Sequence, residues 1–172
     1  EDILFPADAF SPEFVEMLHH DRAILKRLNA DWEQEHDDPK FDKFKENLRH
    51  KFFDKEINPS GKLVLFSESV DTLDYLYDRL TNEIGRTDVL MVTASNRNRL
   101  AQTIRENFDA NYKSDSMEYN IIITSDVLAE GVNLHRSNVI VNYDSPWNAT
   151  RLMQRIGRVN RIGSVAPNIY NY

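Results

Sequence analysis

Four arginines, Arg151, Arg155, Arg158 and Arg161, fall between residues 148 and 163 with no acid among them, in a chain whose net charge is −7. A concentrated cationic run inside an acidic protein reads as a local anion site. Guanidinium groups are planar and permanently charged, and their forked donors suit phosphate oxygens. Side chains three and four apart share a helix face. On a helix, Gln154, Arg158 and Arg161 therefore project together, with Gly157 allowing a close backbone approach. Such a set could stabilise charge on a phosphoryl group bound elsewhere. From charge alone, a solvated basic helix face explains the run equally well.

A phosphate cradle within the chain is the next thing to seek, and its pattern is missing. Gly61-Lys62 is the one Gly-Lys pair, and Glu56 and Leu63 stand where a G-x-x-x-x-G-K-[ST] loop needs Gly and Ser or Thr. No Asp-Glu pair follows a buried strand to hold magnesium. A complete nucleotide-hydrolysing site is not encoded in these residues.

The elements that would carry the arginines follow from periodicity. Leu63-Val64-Leu65-Phe66, Val89 to Val92, Ile121-Ile122-Ile123 and Val139-Ile140-Val141 are short apolar runs that read as buried strands. Between them lie helical patterns: Val70, Leu73, Leu76, Leu80 and Ile84; Leu100, Ile104 and Phe108; and a helix over about Ala149 to Ile156. Ile169 to Tyr172 opens a last strand. Strands that are apolar on both faces and alternate with helices indicate a parallel α/β sheet. Ligands in such sheets sit beyond the carboxyl ends of the strands, which directs attention to Ser67–Ser69, Thr93–Asn96, Thr124–Gly131 and Asn142–Asn148. Two further helices fill the first third. Ser11-Pro12-Glu13 combines a capping hydroxyl, a first-turn proline and an acid near the positive helix end, and Asp38-Pro39 repeats the signal. Asn58-Pro59-Ser60-Gly61 reads as a break, dividing a helical extension (1–57) from an α/β domain (60–172).

Composition bounds the rest. The chain has 172 residues, 41% of them hydrophobic, enough for one cored domain with an appendage. Residues 1–60 hold 9 basic and 15 acidic side chains, the remainder 12 and 13, so a free-standing nucleic-acid binder is disfavoured. No run of about 18 apolar residues is present, so no membrane helix is expected, and the first residues do not read as a signal peptide. The start without Met suggests a piece of a longer protein. The absence of Cys excludes disulfides and thiolate metal sites and is consistent with a cytoplasmic home. His19, His20, His36, His50 and His135 lack metal-ligand spacing.

Four segments in order carry a resemblance. Gln154 to Arg161 matches the Q-x-x-G-R-x-x-R pattern of helicase motif VI. Ser125-Asp126-Val127-Leu128-Ala129-Glu130-Gly131-Val132-Asn133-Leu134 looks like motif V, and Lys62 through Ser69 looks like motif IV. Tyr143-Asp144-Ser145-Pro146-Trp147-Asn148 is similar to the segment joining motifs V and VI in Swi/Snf-type translocases. Over residues 60–172 the chain thus resembles the C-terminal ATPase lobe of superfamily 2 helicases and translocases, closest to the Swi/Snf-type group and its bacterial-type members. Ala149, Gly157 and Asp126 depart from the Pro, Asp and Arg that many remodellers carry there.

The resemblance implies a RecA-like lobe, a three-layer α/β/α sheet domain, preceded by a helical inter-lobe linker. It implies Arg158 and Arg161 as arginine fingers supported by Gln154, Gly131 and Asn133 lining the nucleotide cleft, and Ser67, Thr124, Ser125 and Trp147 on the nucleic-acid side. It further implies ATP with Mg2+ held by an N-terminal RecA-like lobe of the same protein, duplex DNA as the track, and no hydrolysis by this lobe alone. Plainer roles stand beside these: a positive-φ turn at Gly131, local backbone bonds from Asn133, a helix cap at Ser125-Asp126, and a core position for Trp147. A non-catalytic docking module is the alternative from another class. A second doubly wound enzyme would need a Gly-rich turn after the first strand, where Ser67-Glu68-Ser69 stands.

Overall fold

The computed structural model describes residues 5–6, 9–35, 37–113, 116, 118–128 and 131–172. His36, Ala129 and Glu130, named above, lie outside this set, as do the first four residues. The chain forms two compact units, Glu1–Lys43 and Phe44–Tyr172.

The first unit is dominated by helix α1 (Pro12–Gln34). Ser11 caps it by accepting a hydrogen bond from the Phe14 amide at 3.3 Å, and Phe10 stacks on Phe14 with ring centroids 5.1 Å apart. Helix α2 (Pro39–His50) starts at the second expected signal, where Asp38 accepts from the Phe41 amide at 2.8 Å.

The second unit is built on five parallel strands in the order β2-β3-β1-β4-β5. They are β1 (Leu63–Phe66), β2 (Val89–Val92), β3 (Ile121–Thr124), β4 (Val139–Asn142) and β5 (Tyr170–Asn171). The register aligns Phe66 with Thr124 and with Asn142, so the carboxyl ends of β1, β3 and β4 finish level and their following loops meet. Helix α3 (Val70–Asp78) continues as a π-helical turn (Arg79–Glu83), buries Leu73, Leu76 and Leu80, and packs on β2 and β3. Helices α4 (Ala101–Phe108) and α5 (Ala149–Val159) follow β2 and β4. Alternate strand residues Val64, Phe66, Leu90, Val92, Ile122 and Ile140 form one core with Ile104, Phe108 and Val159, each large side chain contributing about 1.5–3 kcal/mol by leaving water. The fold is the RecA-like α/β arrangement expected from the sequence.

Two boundaries differ from the sequence expectation. The compact lobe starts at Phe44, not at residue 60: Phe44, Leu48 and Phe52 are buried, and Phe52 packs on Tyr172 with centroids 5.2 Å apart. Asn58 then stitches the turn into the lobe, donating to the carbonyls of Phe52 at 2.8 Å and Lys62 at 3.0 Å. A Pro-Gly cluster breaks a helix without ending a domain. Helix α5 also runs to Val159, beyond Ile156, because an exposed Gly157 weakens a helix without stopping it.

Candidate nucleotide-facing and nucleic-acid site

Helix α5 sorts the four arginines. Asn148 caps it, accepting from the Thr150 amide at 2.8 Å. Arg155 shares a face with Leu152 and Val159 and is fully buried. Its Nε donates to Asp126 Oδ1 at 2.6 Å, and its Nη1 donates to Asn142 Oδ1 at 3.1 Å and to the Asp144 carbonyl at 3.3 Å. The guanidinium also lies 5.1 Å from the centroid of the Phe66 ring. Arg151, at the rim, approaches Glu68 at 3.3 Å and Asp126 at 3.5 Å. These two arginines are internal ion-pair partners.

Arg161 is not on the helix, contrary to the expected shared face. Asn160 leaves helical geometry at φ −83 and ψ 88. From the turn beyond it, the Arg161 side chain folds back, donating through Nε to the Gly157 carbonyl at 3.1 Å and through Nη1 to Asn133 Oδ1. Ser164 closes the turn, its one hydroxyl proton shared between the carbonyls of Val159 at 2.9 Å and Arg161 at 2.8 Å. These donors satisfy carbonyls at the helix end, where positive charge is also favoured. Half-buried Arg158 sits in the last turn of α5, and its carbonyl accepts from the Leu134 amide at 2.9 Å. The segment after β3 is thereby strapped to α5, bringing Arg158, Arg161 and Asn133 together. Gln154 is exposed on the same helix.

Gly131 has φ +77, and a Cβ there would lie 3.1 Å from Arg97 Nη2, so the turn itself calls for glycine. Among the described residues, nothing beyond its own helix and chain neighbours lies within 4 Å of a Cβ built on Gly157.

The residues expected on the nucleic-acid side separate by exposure. Trp147 is wholly exposed, which removes the core reading. Ser125 is partly buried, and its hydroxyl accepts from the Val127 amide at 3.5 Å, a capping contact for the 3-10 turn Asp126–Leu128. Ser67 and Thr124 are fully buried. The Ser67 hydroxyl donates to Asp144 Oδ2, and Thr124 donates to the Ser125 carbonyl at 3.1 Å. Both side chains shape the loops and leave no hydroxyl at the surface.

Sequence reasoning missed several supporting residues. Buried Arg136 donates to the carbonyls of Glu106, Asp109 and Tyr112 at 2.7, 2.9 and 3.2 Å, completing the end of α4. Arg97 donates to the Val127 carbonyl at 3.0 Å. Asp109 accepts from Asn133 Nδ2 at 3.3 Å. His135 is buried 3.7 Å from Asp109. Burial pushes its pKa down, Asp109 opposes, and Arg161 and Arg136 add to the lowering, so the ring stays neutral near pH 7. No sequence motif flags them. The spacing of Arg155 from Leu152 and Val159, by contrast, was a usable sign that it faces the core. Among the described residues, no cluster of His, Cys, Asp or Glu could hold a metal ion, and no helix is long and apolar enough to cross a membrane.

Comparison with known proteins places this arrangement. The profile of the helicase conserved C-terminal domain matches residues 39–163. An uncharacterized ATP-dependent helicase, YqhH of Bacillus subtilis, is 46% identical over 52 residues, 30% of this chain and 9% of that protein. The probable ATP-dependent RNA helicase ddx51 of Dictyostelium discoideum is 29% identical over 104 residues, covering 60% of this chain and 18% of that protein. The chain thus spans under a fifth of the length of both. A crystal structure of the C-terminal part of the Fun30 ATPase domain aligns with TM-score 0.59 at 21% identity, over 90% of this chain and 48% of that one, a likeness of fold. With the profile running from α2 through the arginines of α5, the chain belongs to the helicase conserved C-terminal domain family and forms the C-terminal lobe of a superfamily 2 helicase.

Proposed function

We propose that this lobe is the second half of an ATP-dependent DNA translocase motor of Swi/Snf-like, bacterial type, in which Arg158 and Arg161 act as arginine fingers. The observation that carries the reading is the sorting of the arginines. Arg151 and Arg155 pair with carboxylates, whereas Arg161 donates to two neutral acceptors, the Gly157 carbonyl and the Asn133 amide. Among the described residues, no direct ion pair cancels its charge. Half-buried Arg158 lies in the adjoining turn, and the open space over Gly157 admits an approaching surface.

The residues present fit a triphosphate that a facing lobe would bring. Arg158 and Arg161 would meet its γ-phosphate, Gln154 would support them, and Gly131 and Asn133 would line the cleft. When bound, ATP with Mg2+ supplies the transferable phosphoryl group, with the metal held by the N-terminal lobe. This chain's part is to present fixed positive charge where negative charge develops, in a closed state that excludes water. Trp147 and Ser125 would lie on the nucleic-acid side, with Ser67 and Thr124 acting through the loops they hold. Alone, the lobe would bind ATP weakly and hydrolyse none.

The test is nucleic-acid-stimulated ATP hydrolysis by the full-length protein carrying both lobes, comparing wild type with Arg158→Ala. Retained ATP binding with turnover down by about three to five orders of magnitude is expected, as for other arginine fingers. Unchanged turnover sinks the assignment, and an inactive wild type favours a docking module. RNA is the second track to assay, because ddx51 and DBP5, both matched here, are described as RNA helicases. Stimulation by duplex DNA but not by RNA is the outcome expected here.

A further inference from the structure

We propose that Asp109 is a positioning residue for Arg161, acting through the side-chain amide of Asn133. Asp109 follows the last residue of α4, on the far side of Asn133 from the arginine. Asn133 Nδ2 donates to Asp109 Oδ2 at 3.3 Å, and Asn133 Oδ1 accepts from Arg161 Nη1. The three side chains form one line of hydrogen bonds.

Chemistry fixes the direction of that line. An ionised carboxylate can only accept, and a guanidinium can only donate. An amide between them satisfies both in one orientation alone, with NH2 toward Asp109 and oxygen toward Arg161. Without Asp109, the amide is free to rotate by half a turn and present its own donors to the guanidinium. Asp109 is itself anchored: its Oδ1 accepts from the Asn111 amide at 2.9 Å, and its carbonyl accepts from Arg136 Nη2 at 2.9 Å. The buried, neutral ring of His135 closes the far side and brings no competing charge.

The amide spacer also explains why a carboxylate so near the finger does not disable it. A direct Asp–Arg pair would be bidentate and strong, and would cancel the charge that the proposed role needs. With Asn133 between them, Asp109 sets where Arg161 points while the guanidinium keeps its charge and its remaining donors. The bonds to be released when Arg161 turns toward a phosphate go to neutral oxygens, those of the Gly157 carbonyl and the Asn133 amide. This inference rests on the reading of Arg161 as a finger.

The experiment is steady-state ATP hydrolysis by the full-length protein carrying both lobes, with kcat and KM for ATP measured separately. Asp109→Leu is expected to lower kcat about 10- to 100-fold, the scale of a slightly misplaced group, with KM for ATP within about twofold because ground-state binding is untouched. Asp109→Asn, which can still accept from the Asn133 amide, is expected to restore most of kcat. In an Arg161→Lys background, Asp109→Leu is expected to add little, since residues acting as one unit are not additive. Asn133→Asp, which turns the spacer into a direct ion pair, is expected to lower kcat and serves if Asp109→Leu does not fold. A loss in Arg161→Lys with normal kcat in both Asp109→Leu and Asn133→Asp overturns the positioning role and leaves the finger standing. A full additional loss in the Arg161→Lys background also overturns it, showing a structural role. Unchanged turnover in Arg161→Lys itself removes the finger, and this proposal with it.

Discussion

Arg155 is fully buried and donates through Nε to Asp126 Oδ1 at 2.6 Å. The pair joins α5 to the turn after β3, and Asn142 and Asp144 bring the end of β4 into the same knot. It holds the two segments that carry Arg158 and Asn133 in register. Removing one partner of a buried ion pair leaves the other desolvated and uncompensated, which costs about 3–5 kcal/mol. Asp126→Ala is therefore expected to destabilise the lobe toward the lower end of that range, since Arg155 keeps two neutral acceptors. Arg151→Ala, at a half-exposed rim pair, is expected to cost about 0–1 kcal/mol. Urea unfolding of the chain distinguishes the two, and equal costs would remove the structural role assigned to Arg155.

Gly131 and Gly157 make opposite demands on a methyl group. Gly131 holds φ +77 with Arg97 Nη2 close by, a conformation that costs an L-residue about 1–2 kcal/mol. Gly157 is helical, exposed and unobstructed, where Gly→Ala gains about 0.5–1 kcal/mol. Gly131→Ala is expected to lower the thermal midpoint and Gly157→Ala to raise it. A common sign in differential scanning calorimetry would contradict these backbone assignments.

Much of this was legible in the sequence, for a physical reason. Strands covered on both faces appear as continuous apolar runs, and β1 to β4 each coincide with one. The arginine spacing picked out the candidate site, but charge is the same whether a guanidinium meets solvent or a buried carboxylate, so the burial of Arg155 against Asp126 needed the fold. Arg161 was misplaced because helix periodicity was carried past Asn160, where the backbone turns. Asp109 and Asn133 lie 24 residues apart in sequence, and only the parallel crossover brings them together. The lobe boundary was hidden because Asn58-Pro59-Ser60-Gly61 has linker composition, while Asn58 uses its amide to knit the turn to the sheet.

Lys62 gives the lobe a pH dependence. Its ammonium is buried, donating to the carbonyls of Tyr119 at 2.5 Å and Ser116 at 3.4 Å. Burial lowers its pKa from 10.5 to about 8, with Arg136 acting in the same direction and Asp88 against it. Between those two values the unfolded chain binds more protons than the folded one, so this group makes stability rise with pH through that window. Below about pH 8 its penalty is fully present. Wild type is expected to gain stability relative to Lys62→Met between pH 8 and pH 10, read as the difference in urea midpoints. Parallel pH curves for the two proteins would show that Lys62 titrates normally.

Trp147 separates stability from function most cleanly. Its side chain is wholly exposed, in the loop between β4 and α5, so no packing holds it. An indole left in water without an internal partner is free to stack on a nucleobase or sugar, and such stacking contributes about 1–3 kcal/mol per base. Trp147→Ala is expected to leave the unfolding midpoint of the lobe within about 0.5 kcal/mol of wild type. In the full-length protein it is expected to weaken nucleic-acid binding by about 5- to 150-fold, the same stacking range expressed as an affinity. Fluorescence anisotropy with labelled duplex DNA reads the affinity, and unstimulated ATP hydrolysis should be unchanged. Equal affinity in wild type and variant would take Trp147 off the nucleic-acid surface. A large loss of stability would mean that the indole is covered in the free protein.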